Sequence, residues 1–179
     1  MMSEMKSDRR VIEVLPHDVT WKQRFEEEAS RISEIIPEGL VAIHHIGSTA
    51  VPGLCAKPVI DLMPEVSDLS VLDDCSASFE KLGYIVKGEF GIPGRRFYLK
   101  GLIDRTHHIH AFEQGSEGLI RHLAVRDYLT AHPKIAQEYG ALKKELAKRY
   151  SSDNDGYCEG KSQFMQNLEQ SALCWKKSR

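Results

Sequence analysis

Gly47 and Ser48, followed thirteen positions later by Asp61, are the residues of this chain whose types and spacing suit phosphate chemistry. A turn of small residues lets backbone N–H groups approach an anion closely. A carboxylate on a neighbouring strand can hold a divalent cation against that anion. Phosphate together with a metal ion is the mark of nucleotide chemistry. Alternation along the run Val59 to Val66 puts Asp61, Met63 and Glu65 on one face, with Ile60, Leu62 and Pro64 on the other. An aspartate flanked by Val59, Ile60 and Leu62 is expensive to bury without a cation or several hydrogen bonds. Its plain alternative is an Asp that caps a nearby loop. Thr49 belongs to the same turn, and Lys57, held extended by Pro58, offers an ammonium to a phosphate beside it or else to water.

A second cluster is His107-His108-Ile109-His110. His108 and His110 share a strand face, and two imidazoles so placed can orient a phosphate or bind a metal. Such histidines are also often just hydrogen-bonded strand residues. A zinc centre would need further ligands, for which the sequence offers His44 or His45, Asp61 and Glu113. Arg95 and Arg96 follow a Gly-Ile-Pro-Gly turn and suit a bidentate grip on phosphate, although a strand points one of them away. We take Arg96 as the phosphate ligand. Lys161, off the apolar stripe of Phe164 and Leu168, faces either the site or solvent.

These residues need strands and turns to place them. Leu40–Ile46 and Val59–Val66 read as strands, with Pro64 limiting the second to a sheet edge or a bend. Tyr84–Val86, Arg96–Lys100 and His107–Phe112 are three more. Val11–Leu15 is a short β-like run. Thr20 opens a helix as the cap of a Thr20-x-x-Gln23 box, with Trp21, Phe25, Ile32, Ile35 and Ile36 inward and Glu26, Glu27, Glu28, Arg31 and Glu34 mainly toward water. Leu72, Cys75, Phe79 and Leu82 recur at helical spacing, and Gly83 follows as a cap. From Ser116 onward the pattern is helical, with Pro133 in a first turn and Asp153-Asn154-Asp155 capping the last helix. The stripe of the middle helix, Ile135, Tyr139, Leu142, Leu146 and Tyr150, reads as core, not as a surface for stacking bases.

At 179 residues, 41% hydrophobic and 28% charged, the chain has the composition of a soluble globular protein. A formal net charge of −2 argues against a long nucleic acid as partner. The absence of a long apolar run argues against a membrane. The polar start, residues 1–10, reads as a flexible tail without the apolar core of a signal peptide, which places the protein in the cytoplasm. Cys55, Cys75, Cys158 and Cys174 form no C-x-x-C pair, so free thiols are expected.

The block from His45 to Leu54, then Ala56-Lys57-Pro58-Val59-Ile60-Asp61, resembles the GrpB family. So do Thr106 to His110, His122 to Leu129 and Tyr157 to Phe164, which extends the resemblance over nearly all of the chain after Arg10. The resemblance implies the nucleotidyltransferase superfamily and hence an α+β fold: a small mixed sheet flanked by helices, with a C-terminal helical region. We expect a single domain over 11–179, with its α+β core in 11–115 and its helices in 116–179. The superfamily pattern is a Gly-Ser turn, about a dozen residues, then two carboxylates two apart on a strand, with a third on a later strand. Gly47, Ser48 and Asp61 match it. Met63 occupies the second carboxylate position, a departure that Glu65 would repair only if the strand bends at Pro64.

The leading expectation is a nucleotide or other phosphate-bearing small molecule, bound with Mg²⁺ on Asp61, and a nucleotidyl group passed to a small acceptor. Asp61 and His110 are the catalytic candidates. Gly47, Ser48, Thr49, Lys57, Arg96, His108 and Lys161 are the phosphate-binding ones. The family is also similar to a domain fused to some dephospho-CoA kinases, which implies the alternative of a non-catalytic accessory domain with a protein partner. A zinc hydrolase built on His108 and His110 is a weaker alternative, and zinc is not the expected metal.

Overall fold

The computed structural model describes residues 10–179, so all of the expected tail but Arg10 lies outside the described residues. Five strands, β1 (Leu40–Ile46), β2 (Ile60–Val66), β3 (Tyr84–Val86), β4 (Arg95–Lys100) and β5 (His107–Glu113), form one sheet in the order β1-β2-β5-β4-β3. The β2–β5 pair is parallel and the other pairs are antiparallel. Helices α1 (Thr20–Ile35), α2 (Ser70–Asp74) and α3 (Ser76–Lys81) cover one face, and α4 (Glu117–Ala131) packs on the other. Two long helices, α5 (Pro133–Arg149) and α6 (Asn154–Lys177), complete the molecule. This is a mixed α+β architecture with helices at its C-terminal side.

Alternation sorts the two faces. Ile60, Leu62, Val66, Tyr98, Ile109 and Ala111 pack with Trp21, Ile32, Leu72 and Phe79 in the main core. Met63 and Phe112 face the other way and meet Ile46 and Leu119 under α4. A second core, built from Val51, Leu54, Leu129, Ala136, Tyr139 and Leu168, ties the loop after β1 to α4, α5 and α6. That loop carries the Gly-Ser turn, so the helical side of the molecule is fastened directly to the turn.

Several sequence expectations change here. Pro64 lies in an interior strand: it stands opposite Ile43 of β1, and the β2–β5 register holds on both sides, at Leu62–Ile109 and Glu65–Phe112. One missing N–H donor is a small loss against a strand buried by two neighbours. Val11–Leu15 is no sheet strand; only Leu15 bridges, to Ala56. Thr20 is the first residue of α1, not its cap. Asp18 Oδ1 accepts from Thr20 N at 2.8 Å and from Thr20 Oγ1 at 2.7 Å, placing a negative charge at the helix start. The Leu72–Leu82 stretch is two short helices that meet at Cys75, and Gly83 follows with φ +94°.

Glu28 is the largest reversal. It is fully buried, not solvated. Tyr84 Oη donates to its Oε1 at 2.6 Å, Lys100 Nζ donates to the same oxygen at 2.7 Å, and Arg31 Nη1 reaches Oε2 at 3.0 Å. Burial works against the charge, but the bonds from Lys100 and Tyr84 outweigh it and hold the carboxyl below the usual range.

Candidate functional site

Gly47 follows β1 with φ +74° and ψ −173°, a backbone state open in practice only to glycine. Its missing side chain makes room for Asp61: a Cβ there would stand 2.6 Å from Asp61 Oδ2. Turn and carboxylate are therefore in direct contact. The chain then makes a short 3₁₀ turn over Ser48–Ala50. Thr49 is buried, and its Oγ1 pairs with His45 Nε2 at 2.9 Å, while the His45 ring stacks on Phe25 at 4.6 Å. Thr49 thus locks the turn from behind. Arg126 on α4 donates to His45 O at 3.2 Å, which ties the turn's base to the helices.

The other Asp61 oxygen, Oδ1, meets two histidines of β5. His110 Nε2 is 3.1 Å away and His108 Nδ1 is 3.6 Å away. Burial opposes the Asp61 charge, yet the His110 hydrogen bond and the nearby imidazoles hold its carboxyl below the usual range. The Phe97 ring packs against both imidazoles, at 5.6 Å from His108 and 5.0 Å from His110. Behind them His122 lies 5.6 Å from His110, its basicity pushed down to about 4 by burial.

A cavity of about 260 Å³ opens in front of this group. Gly47, Ser48, Thr49, Lys57, Asp61 and His108 line one side, and Tyr139, Lys143, Tyr157 and Lys161 from α5 and α6 line the other. Lys57 Nζ lies 4.2 Å from the Tyr157 ring centre and Lys161 Nζ 4.6 Å from it. Lys143 Nζ sits 4.5 Å from the Tyr139 ring centre and donates to Cys55 O. Burial raises the Tyr139 hydroxyl to about 12, against the opposing effect of nearby Ser48. Burial lowers the basicity of all three lysines, Lys143 to about 7. Three lysine amines thus share the cavity with one carboxylate. A bound polyanion would compensate charges that burial penalises.

Of the candidates read from sequence, Gly47, Ser48, Thr49, Lys57, Asp61, His108 and Lys161 meet at this cavity. His110 supports Asp61 from behind its rim. Arg96 is elsewhere: alternation along β4 turns it to the opposite face, where Nε and Nη2 grip Asp73 at 2.7 and 3.0 Å. Arg95 takes the site face and is buried, with its guanidinium donating to Glu89 O and Phe90 O. Met63 is fully buried beneath α4. Glu65 does not replace it, because it is bonded to His44 Nε2 at 2.7 Å. Of the extra zinc ligands considered, only Asp61 joins the histidines. His44 and His45 are bonded to Glu65 and Thr49, and Glu113 is exposed at the far end of β5.

Sequence reading missed Lys143, Tyr139 and Tyr157 as site residues. One signal was available. Lys143 lies four residues after Tyr139, on the apolar stripe of α5, where a lysine is out of keeping with its apolar neighbours.

The sheet, with the Gly-Ser turn feeding the Asp61 strand, defines a nucleotidyltransferase-like fold. A structure of Cid1 in complex with the UTP analog UMPNPP shares it, with TM-score 0.51 and 12% identity over 82% of this chain and 48% of that one. The chain belongs to the GrpB family, whose model, described as GrpB protein, matches residues 11–171. The conserved protein GrpB from Enterococcus faecalis has a crystal structure with TM-score 0.89 and 41% identity, covering 92% of this chain and 99% of that chain. The UPF0157 protein YqkA of Bacillus subtilis is 42% identical over 171 residues, 96% of this chain. This chain spans half the length of that relative. Among the described residues no helix is long and apolar enough to cross a membrane.

Proposed function

We propose that the cavity binds a nucleoside triphosphate, or a metabolite with a like phosphate chain, together with a divalent cation at Asp61, and transfers a nucleotidyl group to a small acceptor. The observation that carries this reading is the set Lys57, Lys143 and Lys161 converging with the Gly47-Ser48 turn on one cavity whose carboxylate is Asp61. The lysines and the turn's N–H groups suit the phosphate chain. Tyr139 lines the cavity with Ser48, and His110 holds Asp61. In the transfer, an acceptor hydroxyl oxygen bonds the α-phosphorus and the bridging bond to the β-phosphate breaks. Pyrophosphate leaves, and the hydroxyl proton passes to solvent. The cation's contribution, when bound, is to offset negative charge on the phosphates. Mg²⁺, the ion the resemblance implies, would find one protein carboxylate here and would draw its other oxygens from phosphate and water.

The test is pyrophosphate release from each of the four nucleoside triphosphates, offered with a panel of small hydroxyl and amine acceptors. Release that stops in Asp61→Asn supports transfer. The accessory reading rests on a separate observation: Met63 is buried and Glu65 is bonded to His44, so among the described residues no second carboxylate joins Asp61 at the cavity. Nucleotide binding without turnover across the whole panel would favour that reading.

A further inference from the structure

We propose that Asp61, His108 and His110 together form a three-ligand site that selects a borderline first-row transition ion, of the Zn²⁺, Co²⁺ and Fe²⁺ class, over Mg²⁺. This deepens the reading above, which asks only for a divalent cation at Asp61.

Spacing gives the first argument. The three side chains each offer one donor atom, and these atoms all lie within 4.8 Å of one another. Asp61 Oδ1 is 3.1 Å from His110 Nε2 and 3.6 Å from His108 Nδ1. Ligands about 2.0–2.2 Å from an ion, at tetrahedral or octahedral angles, stand roughly 3.0–3.6 Å from each other. Both carboxylate–imidazole pairs are thus already at ligand spacing, and the two imidazole donors lie within 4.8 Å of each other.

Donor chemistry gives the second. Mg²⁺ takes oxygen ligands and keeps its water, whereas imidazole nitrogen suits zinc, iron, nickel and copper. Two nitrogens and one oxygen form the wrong set for Mg²⁺ and a fitting one for the borderline ions. Three protein ligands also leave coordination positions open, the pattern of reactive rather than closed zinc sites. Asp61 and His108 both line the cavity, so those positions face the space where the phosphate ligand is placed.

Rigidity gives the third. Asp61 and His108 are register partners on the parallel β2–β5 pair, and His110 follows on the same face. Phe97 packs on both imidazoles and restrains their rotation. Arg95 Nη1 lies 3.5 Å from His110 Nδ1, at the limit of hydrogen bonding. An ion at His110 Nε2 would replace the proton that Nε2 gives Asp61 Oδ1, and the long Arg95 contact, from a guanidinium that also donates to two backbone carbonyls, opposes that exchange only weakly.

The experiment uses the chelator-stripped protein titrated with Co²⁺, without nucleotide, followed by visible absorption. The expected result is one equivalent of Co²⁺ bound with nitrogen-ligand bands, displaced by stoichiometric Zn²⁺ but not by a large excess of Mg²⁺. His108→Ala and His110→Ala should each weaken Co²⁺ by more than the ~100-fold that loss of an outer-shell partner costs. His108→Gln serves if an alanine variant fails to fold, and His44→Ala, whose imidazole bonds Glu65, should leave Co²⁺ binding intact. Folded wild-type protein that takes up no Co²⁺, Mg²⁺ that competes on equal terms, or unchanged binding in the histidine variants would each overturn the proposal. Co²⁺ uptake with no nucleotide binding would remove the nucleotide reading and leave this one standing. Mg²⁺-dependent nucleotide binding with no Co²⁺ uptake would do the reverse.

Discussion

Gly47 and Asp61 share one volume: the hydrogen on the Gly47 Cα is all that fits where a methyl group would lie 2.6 Å from Asp61 Oδ2. The turn's backbone and the carboxylate are therefore positioned by each other. Replacing Gly47 with alanine strains a glycine-only backbone and pushes the carboxylate away. We expect Gly47→Ala to cost about 1–3 kcal/mol in urea unfolding and to abolish ligand-induced stabilisation. Gly53→Ala is the control, since Gly53 also has a positive φ but has nothing within 4 Å of its absent Cβ. It should destabilise and still bind. Equal loss of binding in both would refute a specific Gly47–Asp61 relationship.

Lys143 predicts a pH dependence. Burial lowers its basicity from 10.5 to about 7, so between those values the unfolded chain holds a proton that the folded protein lacks. Stability from this group therefore rises with pH across that window, with a limiting slope of about 1.4 kcal/mol per pH unit. Below pH 7 both states are protonated and the dependence flattens. Lys143→Met should remove this rise, as measured by urea unfolding from pH 6.5 to 9.5. A bound polyanion should restore the proton, so calorimetry at pH 8 in buffers of different ionisation heat should show proton uptake in wild type and less in Lys143→Met. Identical pH profiles for the two proteins would contradict the assignment.

The Glu28 network carries stability rather than ligand. Glu28→Gln leaves Lys100 without its counter-charge and disturbs the bond from Tyr84. The loss should be about 3 kcal/mol, with nucleotide affinity unchanged. Because these bonds depress the Glu28 carboxyl, their contribution is present above the ordinary carboxylate range and fades as pH falls through the folded value. The wild-type protein should therefore lose more stability between pH 6 and 3 than Glu28→Gln does. A loss under 1 kcal/mol would show that solvent replaces the network.

Much of the sheet was legible because alternation is local. Period-two reasoning puts His108 and His110 on one face and Asp61 on a face with Met63 and Glu65, and the apolar run Leu40–Ile46 reads as a strand. What was not legible was long-range. Nothing local places Glu28 against Tyr84 and Lys100, 56 and 72 residues away. The direction of Arg96 depended on which member of an Arg-Arg pair takes the site face, and one residue of register decides that. The far wall of the cavity comes from α5 and α6, whose docking rests on the second core. Hence Lys143 and Tyr139 could be seen only as an oddity in a stripe. Met63 was visible as a departure from the family pattern, but its burial under α4 was not.

The most direct test of the account is thermal unfolding of wild type and Asp61→Asn with each of the four nucleoside triphosphates, with and without divalent cation. A ligand at 100 times its dissociation constant stabilises by about 2.7 kcal/mol, which moves the midpoint by several degrees. The account predicts a cation-dependent rise with at least one nucleotide in wild type and its loss in Asp61→Asn. No rise with any nucleotide, or a rise that Asp61→Asn retains in full, would contradict it.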